Sequence, residues 1–312
     1  MTDPTLSLVF PGQGSQALGM GRALAEAYPA ARAVFDEVDE ALGQALSSVM
    51  WGDDQDALTL TVNAQPALMA HAVAAFRALE SEGFGLAQVR SLAGHSLGEY
   101  AAHCVAGTFT LAETARLLRR RGEAMQSAVP VGEGGMAAIL GLSMDTVEAL
   151  VAESDCEVAN DNAPGQVVIS GPKAAVEKAC LGAKEAGAKR ALPLPVSAPF
   201  HCQLMAPAAE AMAEALAAAG TRAPAVPVYA NVLAAPVPQG GVTDSLVRQV
   251  TGRVRWTETV TAMSADGTGT FVELGPGKVL SGLIRRTSKD AKTHNVGEPG
   301  DVAALRDALQ HG

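Results

Sequence analysis

The sequence predicts an α/β protein: one large, mainly parallel sheet covered by helices on both faces, interrupted by a small β-α-β-β-α-β unit. Three observations carry this. Short apolar runs alternate with segments of helical period through both the first and the last third of the chain, as strands buried between helices require. A serine framed by glycines sits between one such run and one such segment, in Val89-Arg-Ser-Leu-Ala-Gly94-His-Ser96-Leu-Gly98-Glu-Tyr100. Between Gly132 and Val196 the strands come in a different order, with two of them adjacent across a polar turn.

Leu6 to Phe10 reads as the first strand, followed by Pro11-Gly-Gln13-Gly-Ser-Gln16 and by helical spacing from Met20 to Ala27. Gly12-x-Gly14-x-x-Ala17 has the look of a dinucleotide fingerprint, but that motif needs a second strand ending in an acidic residue about 20 positions on. Pro29 to Leu46 reads instead as an amphipathic helix, so the glycine loop is better suited to a close backbone approach beside the serine turn. Trp51 to Asp56 reads as loop, and a helix is expected from Pro66 to about Leu79, with the proline at its first position, where the missing N–H is not needed. Val89 to Ala93 is a strand, Gly94 to Gly98 a tight turn, and Leu97 onward a helix. Thr110 to Met125 is a further helix carrying Arg116, Arg119, Arg120 and Arg121; three adjacent arginines span roughly 200° of a helix, so at least one turns away from the others.

In the inserted unit, strands are expected at Met136–Leu140, Cys156–Asn160, Gln166–Ser170 and Arg190–Val196, and helices at Met144–Ala152 and Lys173–Ala186. That order is the split ferredoxin-like arrangement. The division is then 1–130 and 198–312 for the large domain and 131–197 for the insertion. The first texture resumes with a helix at Ala206–Ala219, a strand at Val226–Ala230, helices near Ser245–Val250 and from Trp256, a strand at Thr270–Leu274, the turn Gly275-Pro-Gly277 and a helix through Leu283. The remainder reads as a tail.

Composition excludes several classes. A net charge of −10 argues against a nucleic-acid binder. No apolar run approaches the ~18 residues of a membrane helix, and the start has no basic leader, so a cytoplasmic protein is expected. Cys104, Cys156, Cys180 and Cys202 are scattered without metal-ligand or disulfide spacing, and neither a metal nor a disulfide is indicated.

Gly94-x-Ser96-x-Gly98 after a strand and before a helix is the nucleophile-elbow pattern, in which the strained turn exposes the hydroxyl and the helix N-terminus faces developing negative charge. Such a serine needs a base, by default histidine. Among six histidines, His95 adjoins Ser96 and should point elsewhere, and His103 lies roughly 10 Å along the helix. His71 reads as a packing residue, while His294 and His311 belong to the tail. His201, in Val196-Ser-Ala-Pro-Phe200-His201-Cys202 at the return from the insertion, is the candidate; Cys202 is a rival nucleophile without an elbow. No acid between Ser96 and His201 sits on a convincing strand end, and Asp244 and Glu258 come too late for the serine, acid, histidine order of a plain esterase. Backbone carbonyls are the alternative means of orienting the histidine.

The chain resembles the malonyl-CoA:acyl carrier protein transacylases of fatty acid synthesis and the related acyltransferase domains of polyketide synthases. The stretches that carry the resemblance are Phe10-Pro-Gly-Gln13-Gly-Ser-Gln16, Gln65-Pro-Ala, Gly94-His-Ser96-Leu-Gly-Glu-Tyr100, Arg121-Gly-x-x-Met125, Asn162-x-Pro-Gly-Gln-Val-Val-Ile-Ser-Gly171, the loop at His201, and Glu273-Leu-Gly-Pro-Gly-Lys278. The resemblance implies an α/β-hydrolase-like large domain with an inserted ferredoxin-like one. It implies Ser96 as nucleophile, His201 as base, Arg121 as the grip on the malonyl carboxylate, and the N–H groups of Gln13 and Leu97 as the oxyanion hole. Gln249 matches the residue whose main-chain carbonyl orients the histidine, and Phe200 the position that discriminates acyl size. The implied substrates are malonyl-CoA and the phosphopantetheine thiol of acyl carrier protein, with no cofactor and a monomeric enzyme. Because the carrier is expected to be acidic, Lys189 with Arg190, and Arg285 with Arg286, are the docking candidates. A thioesterase using the same elbow, a transferase for another dicarboxylic acyl group and a non-catalytic carrier-binding scaffold are the rival readings.

Overall fold

A computed structural model describes residues 4–130, 132–196 and 198–311. The proposed boundary residues 131 and 197, and the leader reading at residues 1–3, lie outside the described residues, as does the side chain of His311. The strands are β1 Leu6–Phe10, β2 Val89–Gly94, β3 Gly134–Leu140, β4 Glu157–Ala163, β5 Gln166–Pro172, β6 Arg190–Pro193, β7 Val228–Ala230, β8 Ala235–Pro236, β9 Val254–Arg255, β10 Thr270–Leu274 and β11 Lys292–Val296.

They form two sheets. The large one has the order β11-β10-β1-β2-β7-β8 and is parallel except for the terminal β7–β8 pair. β1 lies inside it with every residue buried. Its one polar side chain, Ser7, is satisfied by Ser91 Oγ at 2.9 Å and Thr268 Oγ1 at 2.8 Å, as a buried hydroxyl needs. The parallel register brings Phe10 opposite Gly94, and the His95 N–H donates to the Phe10 carbonyl at 2.9 Å. The glycine loop after β1 and the serine turn after β2 therefore leave the same sheet edge side by side.

The small sheet has the order β6-β3-β5-β4-β9. Strands β3 to β6 pair antiparallel and are joined through helices Met144–Ala152 and Lys173–Glu185, whose apolar faces close over Ile139, Val167 and Ile169. β9, from the part of the chain after the insertion, adds in parallel to β4. It ties the two sheets together and had no signature in a stretch of two residues.

Several expectations need correction. Pro66 does not start its helix, which runs Thr61–Ser81 with Pro66 inside it. The ring removes the bond that Val62 C=O would otherwise accept, and tertiary contacts hold the extra turn. Gln13 Nε2 donates to Thr61 Oγ1 at 3.1 Å and Arg119 to Asn63 Oδ1 at 2.9 Å. The backbone of Gly122 lies so close that an added Cβ would sit 2.7 Å from Val62 Cα. The helix expected from Pro29 to Leu46 ends at Leu42, where Gly43 turns the chain at φ 59°, and Leu46–Met50 forms a separate short helix. The 51–56 loop is shortened by helix Gln55–Thr59, capped by Asp54. β4 continues through Ala163, because Asp161 and Asn162 find partners in Thr257 and His95. β6 stops at Pro193, ahead of a second proline at 195.

The tail is structured as β11 and the helix Pro299–His311, and His294 stands on β11 opposite Val272. Along β11 only Val296 is buried, so this edge strand lacks the apolar run that marks the others.

Candidate active site

Ser96 is at φ 54°, in the left-handed region where a side chain is strained. The glycines on either side make the turn possible: a Cβ on Gly94 would lie 1.9 Å from the Gly98 carbonyl carbon, and one on Gly98 would lie 2.2 Å from the Phe10 oxygen. Asn231, at the end of β7, clamps the turn from below. Its Oδ1 accepts the Ser96 N–H at 2.7 Å and its Nδ2 donates to Gly94 O at 2.6 Å. In the elbow helix, Gly98–Val105, the first bonds run from Gly98, Glu99 and Tyr100 back to His95, Ser96 and Leu97.

His201, buried and also at positive φ, places Nε2 2.8 Å from Ser96 Oγ. Its Nδ1–H donates to the carbonyls of Gln249 at 2.9 Å and Gly252 at 3.1 Å, which fixes the tautomer and leaves Nε2 free to accept from the serine. Burial, and next the Arg121 charge, hold the imidazole down to about 3. It is neutral at neutral pH and able to take a proton. Among the described residues no carboxylate is bonded to it: Asp244 pairs with Arg248 and Glu258 with Arg255. Cys202 is turned inward to Pro199 O.

Arg121 is the member of the arginine run that faces inward; Arg116 and Arg120 are exposed and Arg119 is half-buried. With 1% of its surface exposed, Arg121 stacks over Tyr100 with 5.6 Å between its guanidinium carbon and the ring centre. Its Nη1 donates to Gln65 Oε1 at 2.7 Å, and its Nη2 to Gln249 Oε1 at 2.9 Å and Ser96 Oγ at 3.1 Å. Among the described residues it makes no ion pair. Its direct hydrogen-bond acceptors are all neutral, and the buried Glu99 carboxyl acts on it only through space, so the cation is incompletely compensated.

These groups open on a cavity of about 400 Å³ between the sheets, to which Gln13, Leu97, Met136, Asn162, Val196 and Phe200 also contribute. His95 is turned to Asn162 Oδ1, 2.8 Å from its Nε2, and supports the rim rather than the serine. His71 is bound to Gly297 O at 2.9 Å. The structure does not bring Lys189, Arg190, Arg285 or Arg286 to the cavity. Arg190 pairs with Leu140 and Arg286 bonds to Gln166, both at the end of the small sheet remote from Met136. Asn231, Gly252 and Glu99 are site residues that the sequence reading missed. Asn231, a polar residue directly after an apolar strand, carried a usable signal; the Gly252 carbonyl carried none.

His103, on the elbow helix, is buried with Nε2 unpartnered and held down to about 3 by burial. Its folded value lies below the unfolded ~6.5, so its contribution is present above pH 6.5 and is lost as pH falls toward 3. Replacing it by Gln should therefore cost about 2–3 kcal/mol less at pH 4.5 than at pH 7.5, measured by urea unfolding at both values. An equal cost at both would place a charged imidazole in the fold.

A strained serine hydroxyl on a neutral imidazole attacks acyl carbonyls and gives the acyl group up again, and the class of the chain is accordingly an acyltransferase. It belongs to the acyl transferase domain family, whose model matches residues 7–305. It is 44% identical to the malonyl CoA-acyl carrier protein transacylase of Bacillus subtilis strain 168, over 95% of each chain. Its fold matches the crystal structure of the acyl-carrier-protein-S-malonyltransferase of Bartonella henselae with a TM-score of 0.95 and 51% identity, covering 98% of this chain and 99% of that one. A malonyl-transacylase in complex with its type II polyketide synthase acyl-carrier protein matches with a TM-score of 0.94 and 40% identity, over 97% and 99%.

Proposed function

We propose that the protein transfers a malonyl group from malonyl-CoA to the phosphopantetheine thiol of an acyl carrier protein, through a malonyl ester on Ser96. The observation that carries this reading is Arg121: a buried guanidinium without a carboxylate partner among the described residues, one nitrogen of which touches the Ser96 hydroxyl. An acyl group ending in a carboxylate completes that site with a charge-assisted pair.

Ser96 Oγ attacks the thioester carbonyl while His201 Nε2 takes its proton. The Gln13 and Leu97 N–H groups receive the oxyanion. Collapse breaks the carbon–sulfur bond, and His201 returns the proton to the departing CoA thiolate. The carrier thiol then repeats the sequence in reverse, giving its proton to His201 and taking the acyl group as Ser96 is reprotonated. The Gln249 and Gly252 carbonyls stabilise the imidazolium in both halves. Phe200, half-buried beside Met136, Val168 and Val196, is the gate against an α-branched acyl group.

We read the two sheets as an α/β-hydrolase-like domain at 1–130 and 198–312 with a ferredoxin-like insertion at 131–197, acting in the cytoplasm as a monomer without a cofactor. Among the described residues no helix is long and apolar enough to cross a membrane and no cluster of metal-ligating side chains occurs. Lys189, Arg190, Arg285 and Arg286 remain the proposed docking residues for carrier or CoA, reached by the length of the pantetheine arm.

Initial rates at several fixed carrier concentrations test the reading. Reciprocal plots against malonyl-CoA should be parallel, as a double displacement requires. Intersecting lines would mean direct transfer between two bound substrates, and malonate release outpacing carrier loading would make the protein a thioesterase.

A further inference from the structure

Glu99 is the second residue of the elbow helix and is fully buried, yet the reaction as described does not use it. Its Oε2 accepts the Asn231 N–H at 2.9 Å and a Gln249 Nε2–H at 2.8 Å, while Oε1 has no partner among the described residues. An amide side chain donates at nitrogen and accepts at oxygen, and its neighbours decide which way it points. Around Gln249, Glu99 Oε2 and the Ser96 carbonyl, the latter at 2.9 Å, both require the nitrogen. That leaves the oxygen to face Arg121 Nη2.

We propose that Glu99 is a positioning residue that fixes the polarity of the Gln249 amide and thereby holds the Arg121 guanidinium against the Ser96 hydroxyl, so that Glu99 sets the preference for acyl groups ending in a carboxylate. The proposal rests on the malonyl reading above. Without Glu99 the Ser96 carbonyl alone would hold the nitrogen, and whenever the amide turned, its nitrogen would meet Arg121 Nη2 donor to donor and push the guanidinium off its aim. An amide between Glu99 and Arg121 also keeps the carboxyl from occupying the guanidinium directly, and so leaves the cation to the substrate.

What Glu99 supplies is an acceptor, whatever its charge. Burial raises the carboxyl to about 7, and a proton would sit on the unpartnered Oε1, leaving Oε2 to accept both N–H groups. The variants Glu99→Gln and Glu99→Leu separate the possibilities. Glutamine keeps an oxygen where Oε2 lies, whereas leucine removes the acceptor at similar volume.

The test is kcat/KM for malonyl-CoA and for acetyl-CoA, with a fixed thiol acceptor, for the wild type and both variants. Glu99→Leu should lower the malonyl-to-acetyl ratio by about tenfold or more, mainly through the KM for malonyl-CoA, and Glu99→Gln should stay within about threefold of wild type. An unchanged ratio in Glu99→Leu overturns the proposal, as does an equal loss in Glu99→Gln, which would make the charge the active property. If Glu99→Leu does not fold, Gln249→Met removes the same amide and keeps the main-chain carbonyl on His201. It must then lower the ratio as much, and a retained ratio overturns the proposal. A wild type with no preference for malonyl would instead refute the malonyl reading.

Discussion

Arg121→Ala is expected to lose malonyl transfer by roughly 30- to 1,000-fold in kcat/KM while acetyl transfer loses little, so that the order of preference narrows or reverses. The guanidinium is almost fully buried and its neighbours are neutral acceptors. A malonyl carboxylate bound against it in a cavity of low polarity is worth what truncation of a buried charge pair costs, about 2–4 kcal/mol. An acetyl group has no carboxylate to leave stranded. The arginine also donates to Ser96 Oγ, which is a bond to the reacting atom and makes a small common loss for both acyl groups the expected background. Steady-state rates with the two acyl-CoAs read the ratio directly. Equal losses for both would make Arg121 part of the scaffold and remove the basis for substrate selection.

The elbow was legible because a tight turn with a side chain at positive φ has few sequence solutions: Gly94 and Gly98 are required where backbone passes within contact of backbone. The strands of the large sheet interior were legible for a related reason. β1 and β10 are buried on both faces and so read as apolar runs, whereas β11, at the edge, and β9, two residues long, do not. The arginine run announced that one member faces inward and the family resemblance named Arg121; the packing of Leu111–Ser127 against Thr61–Ser81 is the physical reason that it is this one.

His201 could be chosen by elimination, because the other histidines had reasons to be elsewhere. The parts of the site that escaped are those made by convergence of distant segments. Gln249 was named for its main-chain carbonyl alone; its side chain, Glu99 and Asn231 meet across 150 residues through single hydrogen bonds, and the Gly252 carbonyl is a property of backbone path. The first turn of the Pro66 helix escaped for the same reason, since its stabilising partners, Gln13, Arg119 and Gly122, come from two other elements.

Ser96→Ala is expected to abolish transfer and His201→Ala to slow both half-reactions by about 10²–10⁴-fold, because one base serves the attack on the thioester and the later release to the carrier. The oxygen removed in the first is the atom on which the imidazole at 2.8 Å and the guanidinium at 3.1 Å converge. The most direct measurement is the intact mass of the wild-type protein after exposure to malonyl-CoA, followed by addition of thiol-bearing carrier protein. The protein should gain one malonyl group, located to Ser96 by peptide mapping and absent from Ser96→Ala, and should return to its starting mass as the carrier gains that group. An adduct that persists in Ser96→Ala, or one that decays to free malonate as fast without the carrier as with it, would contradict the account.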